Sequence, residues 1–423
     1  MTHTHRWSIA AVAVVTLMSA ACLVVWALMP SDEELARRLE TEFEAKLGEK
    51  LSVGQVHWRL LGLPVVEVLD AHTEQSEAIS VRRVAIYPEL LPLLSKRLVI
   101  KRLQVDGAVV PRKAVAAFRN KGLEGMGSVL LRAVSFSDTT YISYSGIPVV
   151  YEGEIRWDED GLPLNLQVRL PDAETPASIE ALRDGVTESG GIRYQMRLQG
   201  GGGSANGQVQ LTTGSDGRYV LKGELAPHAV EVSALLTAFH RRSPISGLAS
   251  GQTVLSAEGS SLNELLRSLN TRSVLKVERA KILRFDWEKA VRSVGKDHGG
   301  ETPLQSLSGV VETQNTEQGM KSEFTRLRAV AGSYSATGKA TLYRRQISAQ
   351  GRVEVGDGVI EVPFTANGPT RDPDFQIGWS TLAGAVIGTA VLPGIGTVLG
   401  AKIGGMLKGP PDRVGKHAPS PQR

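Results

Sequence analysis

The chain has 423 residues, a formal net charge of +4, 45 glycines, one cysteine and 5% aromatic residues. The basic residues are spread along the chain and form no concentrated basic face, which argues against a nucleic-acid partner. A single cysteine excludes a disulfide or a cysteine-based zinc site within one chain. The length allows two or more domains, but abundant glycine and sparse aromatics disfavour a compact α/β enzyme.

The first feature of the chain is an apolar run over residues 9–29, in which Thr16 and Ser19 are the polar residues. About 20 apolar residues in a helix span the ~30 Å hydrocarbon core of a bilayer, so we expect one transmembrane anchor. Arg6 precedes the run and acidic residues follow it, which predicts that the body lies on the non-cytoplasmic side. The alternative is a cleaved signal peptide, whose apolar core would be shorter.

A short amphipathic helix is predicted directly after the anchor. Ser31 followed three residues later by Glu34 forms a capping box, and Gly48 marks the end of the helical spacing. The apolar positions are Leu35, Leu39, Phe43 and Leu47. This apolar face either packs on the first strands or lies on the membrane surface.

From residue 51 onward, apolar and polar residues alternate as they do in strands with one buried face. The alternation is clearest over residues 164–170, 194–199 and 347–355. Turn-forming stretches occupy residues 158–161, 200–203, 214–217 and 356–358. Strands that are joined this closely are antiparallel. Helical spacing returns at residues 230–239, 260–269 and 287–294.

The sequence therefore predicts a mainly β fold with a few short helices, preceded by one N-terminal transmembrane helix. We expect an elongated, curled antiparallel sheet, because a continuous apolar face must be covered by a second sheet, closed into a barrel or curled into a groove. Candidate groove-lining residues are Leu164, Leu166, Val168, Leu170, Ile347, Ala349, Val353 and Val355. A closed core made of the same residues is an equal alternative.

Several short segments occur in an order that is typical of one family. In the first half these are ISVRRVAI at residues 79–86, LLPLL at residues 90–94 and LVIKRLQVDG at residues 98–107. In the second half they are residues 245–247, 255–259, 265–270, 304–309, 334–338 and 362–368. Together with the preceding anchor and helix, they resemble the AsmA family, whereas residues 121–212 show no such likeness.

The resemblance implies a single-pass inner-membrane protein of a Gram-negative bacterium, with its body in the periplasm. It implies a role in outer-membrane biogenesis and in phospholipid transport or homeostasis. The expected partners are a phospholipid or other acyl-chain lipid, the membrane and other envelope proteins. The alternative function is a non-enzymatic assembly or scaffold factor that binds another envelope protein.

The resemblance and the composition together divide the chain into six regions. These are an anchor at 1–30, an AsmA-like module at 31–120, a β-rich region at 121–225, an AsmA-like β module at 226–378, a glycine-zipper segment at 379–408 and a disordered tail at 409–423. The zipper glycines are Gly384, Gly388, Gly396, Gly400 and Gly404. Such spacing lets helices approach closely in lipid, so the segment either contacts the membrane or caps the β body.

No sequence motif points to catalysis. Residues 394–400 look like a dinucleotide-binding loop, but Pro393 precedes them where the motif needs a strand. The histidines lack the spacing of metal ligands. Asp158 and Asp160 lie in a predicted turn, where solvated carboxylates are expected. We therefore expect no enzymatic activity, no cofactor and no metal site.

Overall fold

The structure is a computed structural model of the chain. It describes residues 31–59, 64–93, 98–116, 118, 129–143, 145–188, 190–260, 262–293, 297–316, 318–355, 360–371 and 373–377. The predicted anchor, the predicted tail and the glycine-zipper segment lie outside the described residues. This applies to each predicted zipper residue, namely Gly384, Gly388, Gly396, Gly400 and Gly404. None of the helices in the described ranges is both long and apolar enough to cross a membrane.

Within the described residues, one long sheet of 22 strands, which is not closed, forms the body of the protein. The first strands are β1 (Leu51–Arg59), β2 (Val65–Thr73), β3 (Ser80–Pro88), β4 (Leu98–Pro111), β5 (Val129–Leu131), β6 (Ala133–Ile142), β7 (Pro148–Trp157), β8 (Pro163–Arg169), β9 (Ser178–Val186), β10 (Ile192–Gly200) and β11 (Gly203–Thr213). The remaining strands are β12 (Tyr219–His228), β13 (Val230–Glu231), β14 (Ile245–Gly259), β15 (Asn270–Ile282), β16 (Thr302–Pro303), β17 (Ser306–Thr316), β18 (Gly319–Ala331), β19 (Tyr334–Tyr343), β20 (Gln346–Val355), β21 (Ile360–Pro369) and β22 (Asp374–Ile377). The prediction of a mainly β fold is confirmed.

The described helices are short, apart from the first. They are α1 (Asp32–Leu47), α2 (Leu90–Leu93), α3 (Arg112–Ala116), α4 (Val232–Ala238), α5 (Leu262–Ser268) and α6 (Trp287–Arg292). The predicted helices at 230–239, 260–269 and 287–294 are confirmed by α4, α5 and α6. The LLPLL motif forms α2, and the chain resumes an extended course at β4, as expected of a proline that interrupts a strand.

The strands pair with their neighbours in chain order, and the pairing is antiparallel with one exception. Strand β4 pairs in parallel with β5 and then β6, for example Leu103 with Val134. A parallel pair needs a crossover of a dozen or more residues, which the chain between β4 and β5 supplies. The prediction of an antiparallel sheet is wrong at this place, because residues 121–128 carry no pattern that reveals a crossover.

Three of the strands are short and extend the line of a longer one. Strands β5 and β6 share the same edge of β4, β13 and β12 share an edge of β14, and β16 and β17 share an edge of β15. With neighbouring strands about 4.8 Å apart, the succession from β1 to β22 measures roughly 85 Å along the sheet. The sheet is therefore much longer than it is wide.

Helix α1 covers the apolar side of the first strands. The Ser31 side chain accepts a hydrogen bond from the Glu34 N–H at 3.3 Å, as predicted. The Glu34 carboxylate pairs with Arg38 at 2.5 Å instead of returning to Ser31, and Gly48 ends the helix with φ of 62°. The apolar side chains Leu35, Leu39, Phe43 and Leu47 are 0 to 1% exposed. Of the two alternatives for this helix, the structure shows packing on the strands.

The largest core lies between α1 and strands β1 to β8. Val84, Ile86 and Leu103 are fully buried there, and Phe43 of α1 meets Phe118 edge to face with ring centroids 6.0 Å apart. Farther along the sheet, two smaller clusters form around Leu225 and around Val277. The packing is therefore densest at the N-terminal end of the sheet.

Candidate functional site

One face of the sheet carries a row of directly paired residues that runs through every part of it. Successive register partners in this apolar row are Trp58, Val66, Ile86, Leu103, Val134, Ile155, Leu166, Ala181, Met196, Gly207, Leu225, Thr253, Ser273, Val311, Phe324, Ala340, Ala349, Ala366 and Phe375. None of them is charged. Because directly paired residues share a face, the row defines one apolar face from β1 to β22.

The two hydroxyl side chains in the apolar row satisfy each other. Thr253 and Ser273 are register partners, and their side-chain oxygens form a 2.8 Å hydrogen bond. The opposite face carries charges instead, among them the ion pair of Arg272 with Glu312. The sheet is therefore amphipathic along its whole length.

The burial of the apolar row changes along the sheet. Under α1, the members Val66, Ile86 and Leu103 are 0 to 3% exposed, so this part is a sealed core. From Ile155 of β7 onward, most members of the row are half-buried, and Met196 is an example. The closed-core alternative therefore holds under α1, and beyond it the structure shows a partly accessible apolar surface.

The structure places the predicted lining residues of β8 on the apolar face. Leu166 belongs to the apolar row and is half-buried, as is Leu170 just after the strand. Val168 is 7% exposed and packs in the core with α1. Leu164 is 39% exposed. This set therefore spans the transition from the sealed core to the accessible part of the face.

The second predicted set lies on the same face, near the other end of the sheet. Ala349 belongs to the apolar row, and both Ala349 and Ile347 are half-buried. Val353 is 1% exposed. The side chain of Val355 lies outside the described residues. Strand register thus joins the two predicted sets through a continuous series of neighbours.

A charged residue interrupts this face in β9. Arg183 pairs with Tyr194, and the row continues through Val209, Gly223, Leu255, Thr271, Thr313, Ser322, Leu342, Ile347 and Gly368. Arg183 is the one charged member of this series. Its neighbour Leu182 points to the opposite face and is 61% exposed. The two residues therefore stand on the faces opposite to those that their chemistry favours.

The Arg183 guanidinium is held from one side by the turn between β7 and β8. Its Nη1 donates to Asp158 Oδ2 at 2.7 Å, and both side chains are about one-fifth exposed. Asp158 Oδ1 accepts the N–H groups of Asp160 and Leu162 at 2.9 and 2.8 Å. The prediction of a solvated carboxylate is wrong for Asp158, because these donors hold it against the sheet; Asp160 is exposed as predicted.

The electrostatics of this cluster follow from its contacts. Burial acts to raise the pKa of Asp158, but the Leu162 N–H and the Arg183 guanidinium outweigh it, so the pKa lies below its ordinary value. Burial raises the pKa of the Tyr194 phenol, although its hydrogen-bonding contact with the Arg183 guanidinium and the charge of that group oppose this. The Tyr194 hydroxyl donates to the Pro163 carbonyl at 3.0 Å. The carboxylate and the guanidinium are therefore both ionised, and the phenol is neutral, near pH 7.

The other side of the Arg183 guanidinium faces the Tyr194 hydroxyl. Burial acts to lower the pKa of Arg183, but its contacts with Asp158 and Tyr194 outweigh it. Nε and Nη2 are buried and make no hydrogen bond of good geometry to the described residues. Sequence reasoning missed this residue. The available signal was its position in the strand alternation. Arg183 is an even number of residues from Ile179 and Ala181 and so shares their face, whereas Glu180 and Asp184 lie on the opposite face.

An aromatic cluster covers the last strands. Phe285, from the connection between β15 and β16, contacts Phe375 of β22 with centroids 4.8 Å apart, and Trp287 contacts Phe364 of β21 at 5.6 Å. His298 stacks on Phe285 at 5.4 Å. Sequence reasoning missed the cluster.

Two hydrogen bonds join parts of the sheet that are far apart in strand order. Arg345, in the turn between β19 and β20, donates to the Ser145 carbonyl in the turn between β6 and β7 at 2.9 Å. His240, before β14, lies 2.9 Å from the Pro148 carbonyl at the start of β7. Phe239 packs against the core under α1. The β6–β7 turn and the start of β7 are therefore in contact with the β19–β20 turn and with the segment before β14.

Within the described residues, no group of three His, Cys, Asp or Glu side chains is arranged as a metal site requires. No family model, no curated protein and no solved structure matches the chain.

Proposed function

We propose that the protein carries an acyl-chain lipid on the accessible part of its apolar face, between β7 and β22. The apolar row is the observation that carries this proposal. From Ile155 to Phe375 the row contains no charged side chain, so a lipid tail that follows it meets no ionised group. Burial of each methylene is worth about 0.8 kcal/mol, so even a short contact holds a chain against transfer to water.

The proposed shape of the carrier is a sheet curled around its apolar face. On a flat sheet, the ends of β7 and β19 would lie roughly 48 Å apart, at about 4.8 Å for each of the ten steps between them. The hydrogen bond between Arg345 and Ser145 supports a bend that brings these ends together. A bend toward the apolar face turns that face into a groove, whereas the charged face remains in water.

The setting that we propose for this carrier follows from the sequence. Residues 9–29 would anchor the chain in the inner membrane of a Gram-negative bacterium, with the sheet in the periplasm. The order of the AsmA-like segments supports a role in outer-membrane biogenesis and in phospholipid transport or homeostasis. The protein would have no enzymatic activity of its own. The alternative is a scaffold that binds another envelope protein.

The experiment that tests the proposal is photocrosslinking in cells that express the full chain. The photoreactive amino acid p-benzoylphenylalanine is placed at Ala349, on the apolar face, and separately at Gln350, the next residue on the opposite face. Leu166 and Gln167 form a second such pair on β8. Mass spectrometry of the purified chain then identifies each adduct.

We expect lipid adducts at Ala349 and Leu166 and few at Gln350 and Gln167. The two members of each pair share a strand and differ only in the face that they occupy, so diffuse labelling by membrane lipid would mark both. Protein adducts without lipid adducts at Ala349 and Leu166 would favour the scaffold. Equal labelling of the two faces would contradict a groove.

A further inference from the structure

We propose that an aromatic cap, formed by Phe285, Trp287 and His298, closes the lipid path near its C-terminal end and so determines where a lipid tail lies. The three residues belong to the connection between β15 and β16. The inference rests on the proposed function for the tail and adds to it the place where the path ends. The observation that carries it is that the cap covers the same face of the sheet that the tail would occupy.

Strand register places the aromatic cap on the apolar face. Phe375 belongs to the apolar row, and Phe364 is two residues from Ala366, another member, so both phenylalanine rings point to that side. The Phe285 ring contacts Phe375 with centroids 4.8 Å apart. Trp287 contacts Phe364 at 5.6 Å and Phe375 at 6.1 Å. Rings of the connection therefore cover the rings that β21 and β22 present on the apolar face.

Burial along β20 shows where the cover begins. Ala349 is half-buried, whereas Val353, four residues farther along the same face, is 1% exposed. The register partner of Val353 is Val362 of β21, which is 4% exposed. Val362 is two residues from Phe364, which Trp287 covers. The apolar face of the last strands is thus accessible near Ala349 and closed near Val353.

The contact between Phe285 and Phe375 needs a bend of the sheet toward its apolar face, as the proposed groove does. Phe375 lies in one row with Ser273 of β15, six strand steps away, which is roughly 29 Å on a flat sheet. Ile282, the last residue of β15, lies roughly 30 Å farther along that strand. A flat sheet would thus hold Ile282 and Phe375 roughly 40 Å apart. Phe285 follows Ile282 by three residues, which span at most about 11 Å.

Hydrogen bonds within the connection hold the aromatic cap in place. The Trp287 N–H donates to Thr302 Oγ1 at 2.8 Å, and the Thr302 hydroxyl donates to the Phe285 carbonyl at 2.8 Å. The Asp286 N–H donates to the His298 carbonyl at 2.8 Å, and the His298 ring stacks on Phe285. These bonds use backbone groups of Phe285 and Trp287. The cap is therefore preformed, and its rings can be removed without removing the bonds that shape it.

The test labels the full chain with a lipid tail and maps the contacts. The chain is reconstituted in phosphatidylcholine vesicles that contain a phosphatidylcholine with a diazirine near the end of one acyl chain. After irradiation, mass spectrometry of the digested chain locates the adducts. The measured quantity is the ratio of adducts at Val353 and Val362 to adducts at Ile347 and Ala349. We expect a low ratio in the wild-type chain, because the cap keeps the tail from the first two residues.

The variants remove the rings and keep the rest of the connection. Phe285→Ala together with Trp287→Ala should raise the ratio roughly tenfold or more, since large aromatic side chains no longer exclude the tail. Trp287→Phe keeps a ring and should keep a low ratio. Glu288→Gln changes the next, exposed residue of α6 and is the matched control. Circular dichroism checks that each variant folds. If the double alanine variant does not fold, Phe285→Leu together with Trp287→Leu replaces it and should also raise the ratio.

The outcomes distinguish the two proposals. If the wild-type chain is labelled equally at Val353 and Ala349, or if a folded variant without the two rings keeps the wild-type ratio, the aromatic cap does not close the path although the groove stands. A raised ratio in Glu288→Gln would also overturn the assignment to the rings. If the wild-type chain carries no adduct at Ala349, Ile347 or Leu166, the lipid carrier fails and the closed path fails with it.

Discussion

The ring of Phe136 lies over Gly153, its register partner across β6 and β7. A Cβ atom on Gly153 would stand 2.7 Å from Phe136 Cζ and closer still to the carbonyl oxygen of Gln167. Gly351 and Phe364 repeat this relationship on β20 and β21, with 2.8 Å from the added Cβ to the ring. In both pairs, a strand glycine makes the room that a neighbouring aromatic side chain fills.

We predict that Gly153→Ala and Gly351→Ala each destabilise the sheet by about 1–3 kcal/mol, as overpacking does elsewhere. Urea unfolding followed by circular dichroism measures the effect. Gly299→Ala is the control, because its added Cβ would meet its nearest neighbour only at 4.0 Å, so the midpoint should hardly change. Unchanged midpoints in the two strand variants would show that the glycines do not make this room.

The hydrogen bond between Thr253 and Ser273 supports a second prediction. Thr253→Val leaves the Ser273 hydroxyl without its partner on the apolar face, and we expect a loss of about 1–2 kcal/mol. Removing both hydroxyls, with Thr253→Val and Ser273→Ala together, should recover most of that loss. The measurement is a double-mutant cycle in urea unfolding. Additive losses would mean that each hydroxyl has another partner.

The sequence alone predicted the alternation that creates the apolar face, because a period of two is a local property. It placed Leu166 and Ala349 among the lining residues but gave no means to pair them, since register across the 11 strands from β9 to β19 is not a local property. The sealed core under α1 also depends on where a helix docks. Both features needed the three-dimensional arrangement.

The cluster around Arg183 was missed for a related reason. Asp158 and Arg183 are 25 positions apart, and a turn carboxylate with a polar sequence around it is solvated by default. The signal was the reversed order of Leu182 and Arg183. In a single strand, one deviation from the alternation of apolar and polar residues does not by itself indicate a charge on the apolar face. Only the pairing of β8, β9 and β10 shows that the reversal places a charge on the apolar face.

A third prediction concerns the pH dependence of stability at α4. Glu231 accepts hydrogen bonds from the Ala234 N–H at 2.5 Å, the Ser233 hydroxyl at 2.7 Å and the Gly247 N–H at 2.8 Å. Burial acts to raise the pKa of Glu231, but the Gly247 and Ala234 donors outweigh it, so the pKa lies below its ordinary value of 4.5. The helix N-terminus also favours the ionised form.

Because the pKa of Glu231 is lower in the folded state than in the unfolded state, ionisation stabilises the fold. This contribution is complete above pH 4.5 and is lost as the pH falls through the folded-state pKa. Glu231→Gln should therefore lower the midpoint of unfolding at pH 7. As the pH falls, the midpoint of this variant should decline less than that of the wild-type chain. Glu224→Gln, which removes a carboxylate from β12, should keep the wild-type profile. Parallel acid profiles of Glu231→Gln and the wild-type chain would contradict this assignment.

The last prediction concerns the bend, on which the groove depends. If the turns at Ser145 and Arg345 meet as their 2.9 Å hydrogen bond indicates, cysteines placed at both positions should be joined by a short bismaleimide. Cys22, the single native cysteine, is first replaced by serine so that only the introduced thiols react. The control pairs Ser145→Cys with Asp216→Cys, which lies in the turn between β11 and β12. A sheet that stays open would leave both pairs unlinked, and the apolar face would then be a flat surface with no groove to shield a lipid tail.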